Sequence, residues 1–259
     1  MKLKSLSQIE NIRASGRILA DTLQRLESMI EPGIPLLDID AECRRLVREA
    51  GARPAFLGYM GFPAAICLSV NEQVIHGIPS TRRLREGDIV SMDCGVDLDG
   101  FISDSAVTVP VGRVSDRVRK LLDVTNESLA LGIEAAHAGG RVHDISRSIF
   151  RHVRQYNYGV VKPYCGHGVG FALHEDPQIP NYVHPGPNPR LKSGLVIAIE
   201  PMINLGGDDV ELLDDDWTVV TADGSLSAHF EHTIAIFDDH TEILTLRGSA
   251  VEQQRGGAA

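Results

Sequence analysis

The chain has 259 residues with 35 acidic against 25 basic side chains, a formal net charge of −10 that argues against bulk affinity for nucleic acid or an anionic membrane surface. This length allows one large domain with a substantial core, or two equivalent halves closed into one. The N-terminus leads into an amphipathic pattern without an apolar signal core, no run of about 18 apolar residues occurs, and Cys43, Cys67, Cys94 and Cys165 are scattered without a C-x-x-C pair, so a soluble cytoplasmic protein with reduced thiols is expected rather than a zinc knuckle or disulfide framework.

In chain order, Ser7-x-x-Glu10 has the form of a capping box, and Ile9, Ile12, Leu19, Leu23, Leu26 and Ile30 follow near helical spacing until Pro32-Gly33. A second helix is expected from Asp38, as N-cap, through Leu46 and Val47 to Gly51. Asp88 to Val96 and Phe101 to Val109 are strand-like runs on either side of Asp97-Leu98-Asp99-Gly100, which predicts a hairpin. With Leu98 and Asp99 at its tip, Asp93 stands opposite Asp104. With Asp99 and Gly100 there, Asp104 stands opposite Gly95, and Asp93 keeps the same face by the period of two. Either register points both carboxylates one way, where mutual repulsion would leave one protonated unless a metal ion relieved it.

A long helix from Ser115 to His137 and a further one near Asp144 repeat the first pair. Aligning Asp38 with Asp144, 106 residues on, also brings Gly33 onto Gly139, Ile39 onto Ile145 and Val47 onto Val153. The first strand repeats at nearly the same interval, Leu84–Asp93 lying on Leu191–Glu200 without a gap, and further along Ile102–Val109 resembles Ala228–Ile236, so Glu200 answers to Asp93 and Glu231 to Asp104. The pattern predicts an α+β fold of two pseudo-symmetric halves, approximately 7–110 and 115–240, within a single domain over 1–259. Helices would cover one face of a curved antiparallel sheet and the four acids would face a cleft on the other. The acidic runs 208–209 and 214–216 lack EF-hand spacing and are expected to be solvated loops or hairpin tips, and the tail from Gln253 to Ala259 is expected to fray.

Between the acid pairs, glycines on both sides of His167 let its imidazole project into the cleft, while their even alternation matches no phosphate-binding loop. A solitary histidine is more often structural than a ligand. Beside four convergent acids His167 reads as a ligand, and imidazole with carboxylates suits Mn, Fe, Co or Zn better than Mg or Ca. His76 in V-I-H-G-I-P and His174 in L-H-E-D-P sit in loop contexts of the kind that carry function. His137, His143, His152, His184 and His240 have no such setting and read as structural. His229 and His232 bracket Glu231 at what reads as the opposite strand parity, without an assigned role.

Asp93, Asp104, His167, Glu200 and Glu231, embedded in S-V-N-E-x-V-x-H-G-I-P, G-H-G-V-G, L-H-E-D-P, I-E-P-M and F-E-H-T, resemble the bacterial type I methionine aminopeptidases, a family of pita-bread fold, from Leu6 to about Leu246. The resemblance implies release of the initiator methionine from new polypeptides whose second residue is small. It implies two divalent ions, drawn from Co, Mn, Fe, Zn or Ni, with Asp93 on one, His167 and Glu200 on the other, and Asp104 and Glu231 bridging. Water activated between them would attack the scissile carbonyl, with Glu200 as proton shuttle, His174 at the oxyanion and His76 on the substrate amide. Tyr59, Phe62, Cys67, Leu173 and Trp217 would line the methionine slot, and Asn71, Gln73 and Ser227 match a monovalent-cation site. Phe56 and Leu173 stand where the family commonly has a small and an aromatic residue, Met60 where histidine is frequent, and Ser103 where glycine precedes the aspartate. The partners implied are nascent polypeptide N-termini, met near the ribosome; Arg82, Arg83 and Arg85 form a small basic group that reads as solvated surface rather than as a contact for it, and no direct nucleic-acid function, no membrane and a monomer are expected. Two rivals share the fold: an Xaa-Pro aminopeptidase, which usually carries a further N-terminal domain, and a non-catalytic binding module, whose members have typically lost ligands.

Overall fold

Ser5 starts the first helix. The computed structural model describes residues 1–246, so the expectation for the tail lies outside the described residues. Helix α1 spans Leu6–Glu27, with the Ser5 hydroxyl accepting from the Gln8 amide and the Gln8 side chain accepting from the Ser5 amide. The predicted box at Ser7 is thus displaced by two residues, because Ser5-x-x-Gln8 has the same spacing and comes first. Helix α2 spans Leu36–Glu49 behind Pro35. Asp38, expected as N-cap, lies in the first turn instead, where its charge meets the positive end of the helix dipole.

Short strands β1 (Arg53–Pro54), β2 (Cys67–Val70) and β3 (Gln73–Ile75) precede a long hairpin of β4 (Ile89–Leu98) and β5 (Phe101–Pro110). The turn falls on Asp99 and Gly100, both at positive φ, and the register pairs Gly95 with Asp104 and Asp93 with Ala106. The direct Asp93–Asp104 pairing is therefore excluded, and the alternative register holds: a two-residue turn with φ > 0 at both positions accommodates Asp-Gly. Both carboxylates keep one face. The intervening Met92, Cys94 and Val96 join a core with Leu19 and Leu23 of α1 and Cys43 and Val47 of α2.

Helix α3 (Asp116–Glu134), expected over Ser115–His137, has Ser115 as its N-cap and ends at Glu134, and α4 (Val142–Arg154) begins 106 residues after α2. There follow β6 (Gly159–Val160), β7 (Gly166–Gly168), β8 (Glu175–Ile179), β9 (Val196–Ile199), β10 (Met202–Asn204), β11 (Val210–Leu212), β12 (Val219–Thr221), β13 (Ser227–His229), β14 (Glu231–Ile236) and β15 (Thr241–Ile243). Nine strands form the main sheet, in the path β1-β4-β5-β14-β9-β7-β8, with β2 also on β4 and β15 on β14. The two halves join where β5 meets β14: the Asp104 amide donates to Thr233 Oγ1, which donates to the Asp104 carbonyl. Ile197, Ile199, Ile234 and Ile236 share the core with Leu121 and Val124 of α3 and Ile145 and Ile149 of α4. Among the described residues no helix is long and apolar enough to cross a membrane.

Candidate active site

Five strands of the main sheet bring the acids and His167 to one place. Asp93 comes from β4, Asp104 from β5, His167 from β7, Glu200 from the residue after β9 and Glu231 from the first position of β14. Ligand-type atoms of Asp104, His167 and Glu231 all lie within 4.8 Å of one another. His167 Nε2 is 3.9 Å from Asp104 Oδ2 and 3.6 Å from Glu200 Oε1. Asp93 lies outside that tight trio but lines the same cavity. Asp104 and Glu231 are only 3% and 2% exposed, and Asp104 Oδ1, Glu231 Oε1 and Asp93 Oδ1 are buried without a hydrogen-bond partner.

Burial, with the neighbouring carboxylates, pushes Asp104 and Glu231 well above the ordinary carboxyl range. Burial above all raises Asp93 to about 7. Orphaned buried oxygens carry a desolvation penalty of about 1–3 kcal/mol each, more when charged. A divalent cation at this point would answer all three and oppose the mutual repulsion. The residues present therefore fit a metal ion, with a mixed oxygen and imidazole donor set.

The histidine geometry sharpens this. His167 Nδ1 stands 3.0 Å from the Gly168 carbonyl, which can only accept, so Nδ1 carries the proton and the Nε2 lone pair faces the acids. His174, at the cavity mouth, has Nδ1 2.9 Å from the Tyr59 hydroxyl and its ring centroid 4.3 Å from that of His167. Desolvation and the facing His167 lower its pKa to about 4. His76 occupies a left-handed backbone conformation, φ 58°, between the edges of Tyr164 and Trp217, and desolvation lowers its pKa too. Strained backbone of this kind in a polar cavity is a frequent mark of function.

The remaining wall is apolar. Phe62 meets Trp217 edge to face at 5.0 Å, and Cys67 and Leu173 are buried beside them, with Tyr59 partly covered. Every residue assigned to the slot thus lines one cavity with the acids and histidines, a space of ≈ 160 Å³. Phe56 and Met60 line it as well. Both acidic runs lie outside the strands, with 214–216 exposed at the tip between β11 and β12 as expected, and two of their acids also organise the chain around them. Asp215 accepts from the Trp217 and Thr218 amides and from the Thr218 hydroxyl, building the turn that presents Trp217. Asp208 accepts from the Val160 amide and pairs with Lys162 and Arg154. Asn71, Gln73 and Ser227, matched to a cation site, have side chains hydrogen-bonded within the protein: Asn71 to Asp88 and Ile89, Gln73 to Val70, Ser227 to Asn204.

His229 is the residue that sequence reasoning left without a role. Its Nε2 lies 3.6 Å from Glu200 Oε2, and it is 1% exposed. That neighbour, with His167 and His174, outweighs burial and holds Glu200 below the usual carboxyl range, unlike the other three acids. The parity assigned to it was wrong: two residues before Glu231, it shares that residue's side of the chain, and this period was the available signal. Ser103, the departure beside Asp104, turns to the other face and shares a 2.8 Å hydrogen bond with Ser15 of α1.

The chain matches the model of metallopeptidase family M24 over residues 10–238. It is 50% identical over 246 residues to a methionine aminopeptidase of Treponema pallidum (strain Nichols), covering 95% of this chain and 96% of that one. Among solved structures, a methionine aminopeptidase from Rickettsia prowazekii superposes with a TM-score of 0.93 at 39% identity, covering 95% of this chain and 100% of that one. A prolidase from Pyrococcus furiosus shares the fold, TM-score 0.79, at 24% identity; the match covers 95% of this chain but 66% of that one.

Proposed function

The chain belongs to metallopeptidase family M24 and to its methionine aminopeptidases, and on that premise we propose that it releases the amino-terminal methionine of newly made polypeptides whose second residue is small, acting in the cytoplasm as a monomer. One observation carries the reading. A single cavity is lined both by the buried acids with His167 and by an apolar, sulfur-containing wall of Tyr59, Phe62, Cys67, Leu173 and Trp217. An unbranched thioether fills such a slot well, and the free α-amine beside it then reaches the carboxylates.

The family uses divalent metal, and the acids with His167 fit it. In this reading Asp93, Asp104, His167, Glu200 and Glu231 would hold two divalent ions, for which Mn, Fe, Co, Zn or Ni would suit the donors. Bound metal supplies Lewis acidity, which polarises a carbonyl and eases deprotonation of water. Glu200, ionised and flanked by His229, takes the proton of the attacking water and passes it to the leaving amine nitrogen. His174, steadied by the Tyr59 hydroxyl, donates to the carbonyl oxygen as charge grows there, and His76 holds the substrate amide. The aromatic wall excludes water from the scissile bond.

The test strips the protein of metal, restores Mn(II) or Co(II), and times amino-acid release from Met-Ala-Ser, Met-Lys-Ser and Ala-Pro-Ala. Cleavage of the first alone supports the reading. Cleavage of the third alone would make the protein an Xaa-Pro peptidase, and silence on all three with metal bound would leave a binding module.

A further inference from the structure

Lys4 lies outside the cavity and outside every motif above, yet its side chain is fully buried. The stem passes beneath the loop that follows β7, so close to Gly170 that a β-carbon there would come within 2.9 Å of Lys4 Cε. Its ammonium donates to Glu175 Oε2 at 2.7 Å and to the Lys2 carbonyl at 3.3 Å, and stands 5.3 Å from the centre of the Phe171 ring. The Lys4 amide is anchored separately, donating to the Gly194 carbonyl at 2.7 Å. Glu175 is the other half of the clamp. Its second oxygen accepts the amides of Phe171 and Ala172, at 2.7 and 3.1 Å, which closes the loop 171–175 on itself. Side-chain exposures of 0% and 4% for Lys4 and Glu175 mark this as a pair withdrawn from water.

The enclosed loop carries His174, whose neighbour in sequence is Glu175. We infer that Lys4 is a positioning residue for His174: the buried ion pair between the N-terminal segment and Glu175 fixes the loop so that the His174 ring stands at the cavity mouth beside His167. The inference rests on the proposed function for what His174 does, but not for how the loop is held. A surface pair would contribute little. Removing one partner of a buried pair strands the other, and the loop must then open to hydrate it. Displacement of a reacting group by about 1 Å costs up to about a hundredfold in rate, so Lys4 belongs to the active-site framework although it lies outside the cavity.

The test uses the full-length, metal-loaded protein and Lys4→Met, His174→Ala and the double variant, with Glu175→Gln as a second way to cut the pair should Lys4→Met not fold. Methionine release from Met-Ala-Ser gives kcat and KM, calorimetry gives metal affinity, and amide hydrogen exchange follows residues 171–175. Lys4→Met is expected to lower kcat about ten- to a hundredfold with KM and metal affinity little changed, to speed exchange in that segment, and to add nothing to the loss already caused by His174→Ala. A full multiplicative loss in the His174→Ala background would overturn the inference, as would unchanged exchange. Should wild type release no methionine while exchange at 171–175 responds to Lys4→Met, the proposed function fails and the clamp stands.

Discussion

Across the β4–β5 hairpin Asp104 stands opposite Gly95, and the bare position there lets Phe56 lie against the strand: a β-carbon on Gly95 would sit 2.8 Å from Phe56 Cε1 and 3.1 Å from Ala55 Cβ. The backbone that aims Asp104 at the cavity thus also sets one wall of it. Gly95→Ala must drive the Phe56 ring inward. The expected outcome is a destabilisation of about 1–3 kcal/mol, as for other overpacked sites, together with a raised KM for Met-Ala-Ser. Urea unfolding and steady-state kinetics on the same preparation check both.

Glu231→Gln and Asp104→Asn should act in opposite directions on binding and on stability. Each removes a donor from the trio within 4.8 Å, so calorimetry should show metal affinity reduced by at least about tenfold. Each also removes one of the buried acids whose like charges oppose one another. After chelation, the variants should therefore melt above the chelated wild type at pH 8.

Asp93 gives a pH dependence whose sign is fixed. Its folded pKa, about 7, lies above the ordinary value of 3.8, so the folded chain holds the proton more tightly than the unfolded chain. Its contribution to stability is full below about pH 4 and is lost as pH rises through about 7. Metal binding takes up that loss by displacing the proton. The rise in melting temperature on adding Mn(II) should be larger at pH 8 than at pH 5.5, and calorimetry near pH 6 in buffers of different ionisation enthalpy should register proton release.

Trp217 is the only tryptophan in the chain, so intrinsic fluorescence reports on the slot directly. Free methionine should change the emission of wild type. Asp215→Ala removes three hydrogen bonds that shape the turn before Trp217 and should shift the emission to the red, raise KM severalfold and leave kcat within about threefold, as expected where ground-state and transition-state binding weaken together. A kcat loss with unchanged emission would count against this role.

What was legible in the sequence was whatever repeated or alternated. The interval of about 106 residues located both helix pairs and matched Asp93 to Glu200, and the likeness of Ile102–Val109 to Ala228–Ile236, at a longer interval, matched Asp104 to Glu231. The residues assigned to the slot share one cavity, and it was the resemblance of the surrounding motifs to a known family, not their spacing, that pointed to them. Local competition was harder to read. Ser5 and Ser7 both satisfy a capping pattern, and the folded chain selects Ser5; of the two candidate tips, Leu98-Asp99 and Asp99-Gly100, only the second has the Asp-Gly chemistry that a two-residue turn favours. Long-range partners were invisible: nothing in the sequence links Lys4 to Glu175, 171 residues away, or marks Asp208 and Asp215 as hydrogen-bond hubs within acidic runs. His229 could have been found, since its period from Glu231 was correct and only the parity was misjudged.

The central claim is that the buried acids and His167 hold a divalent ion on which methionine release depends. The most direct measurement is elemental analysis of bound metal alongside methionine release from Met-Ala-Ser, on wild type and Glu231→Gln, each chelated and then titrated with Mn(II). The account predicts that activity rises from the chelated baseline in step with bound metal in wild type, and that Glu231→Gln, folded by circular dichroism, binds less and stays near baseline. Full methionine release from chelated wild type, or undiminished metal binding and release in Glu231→Gln, would contradict it.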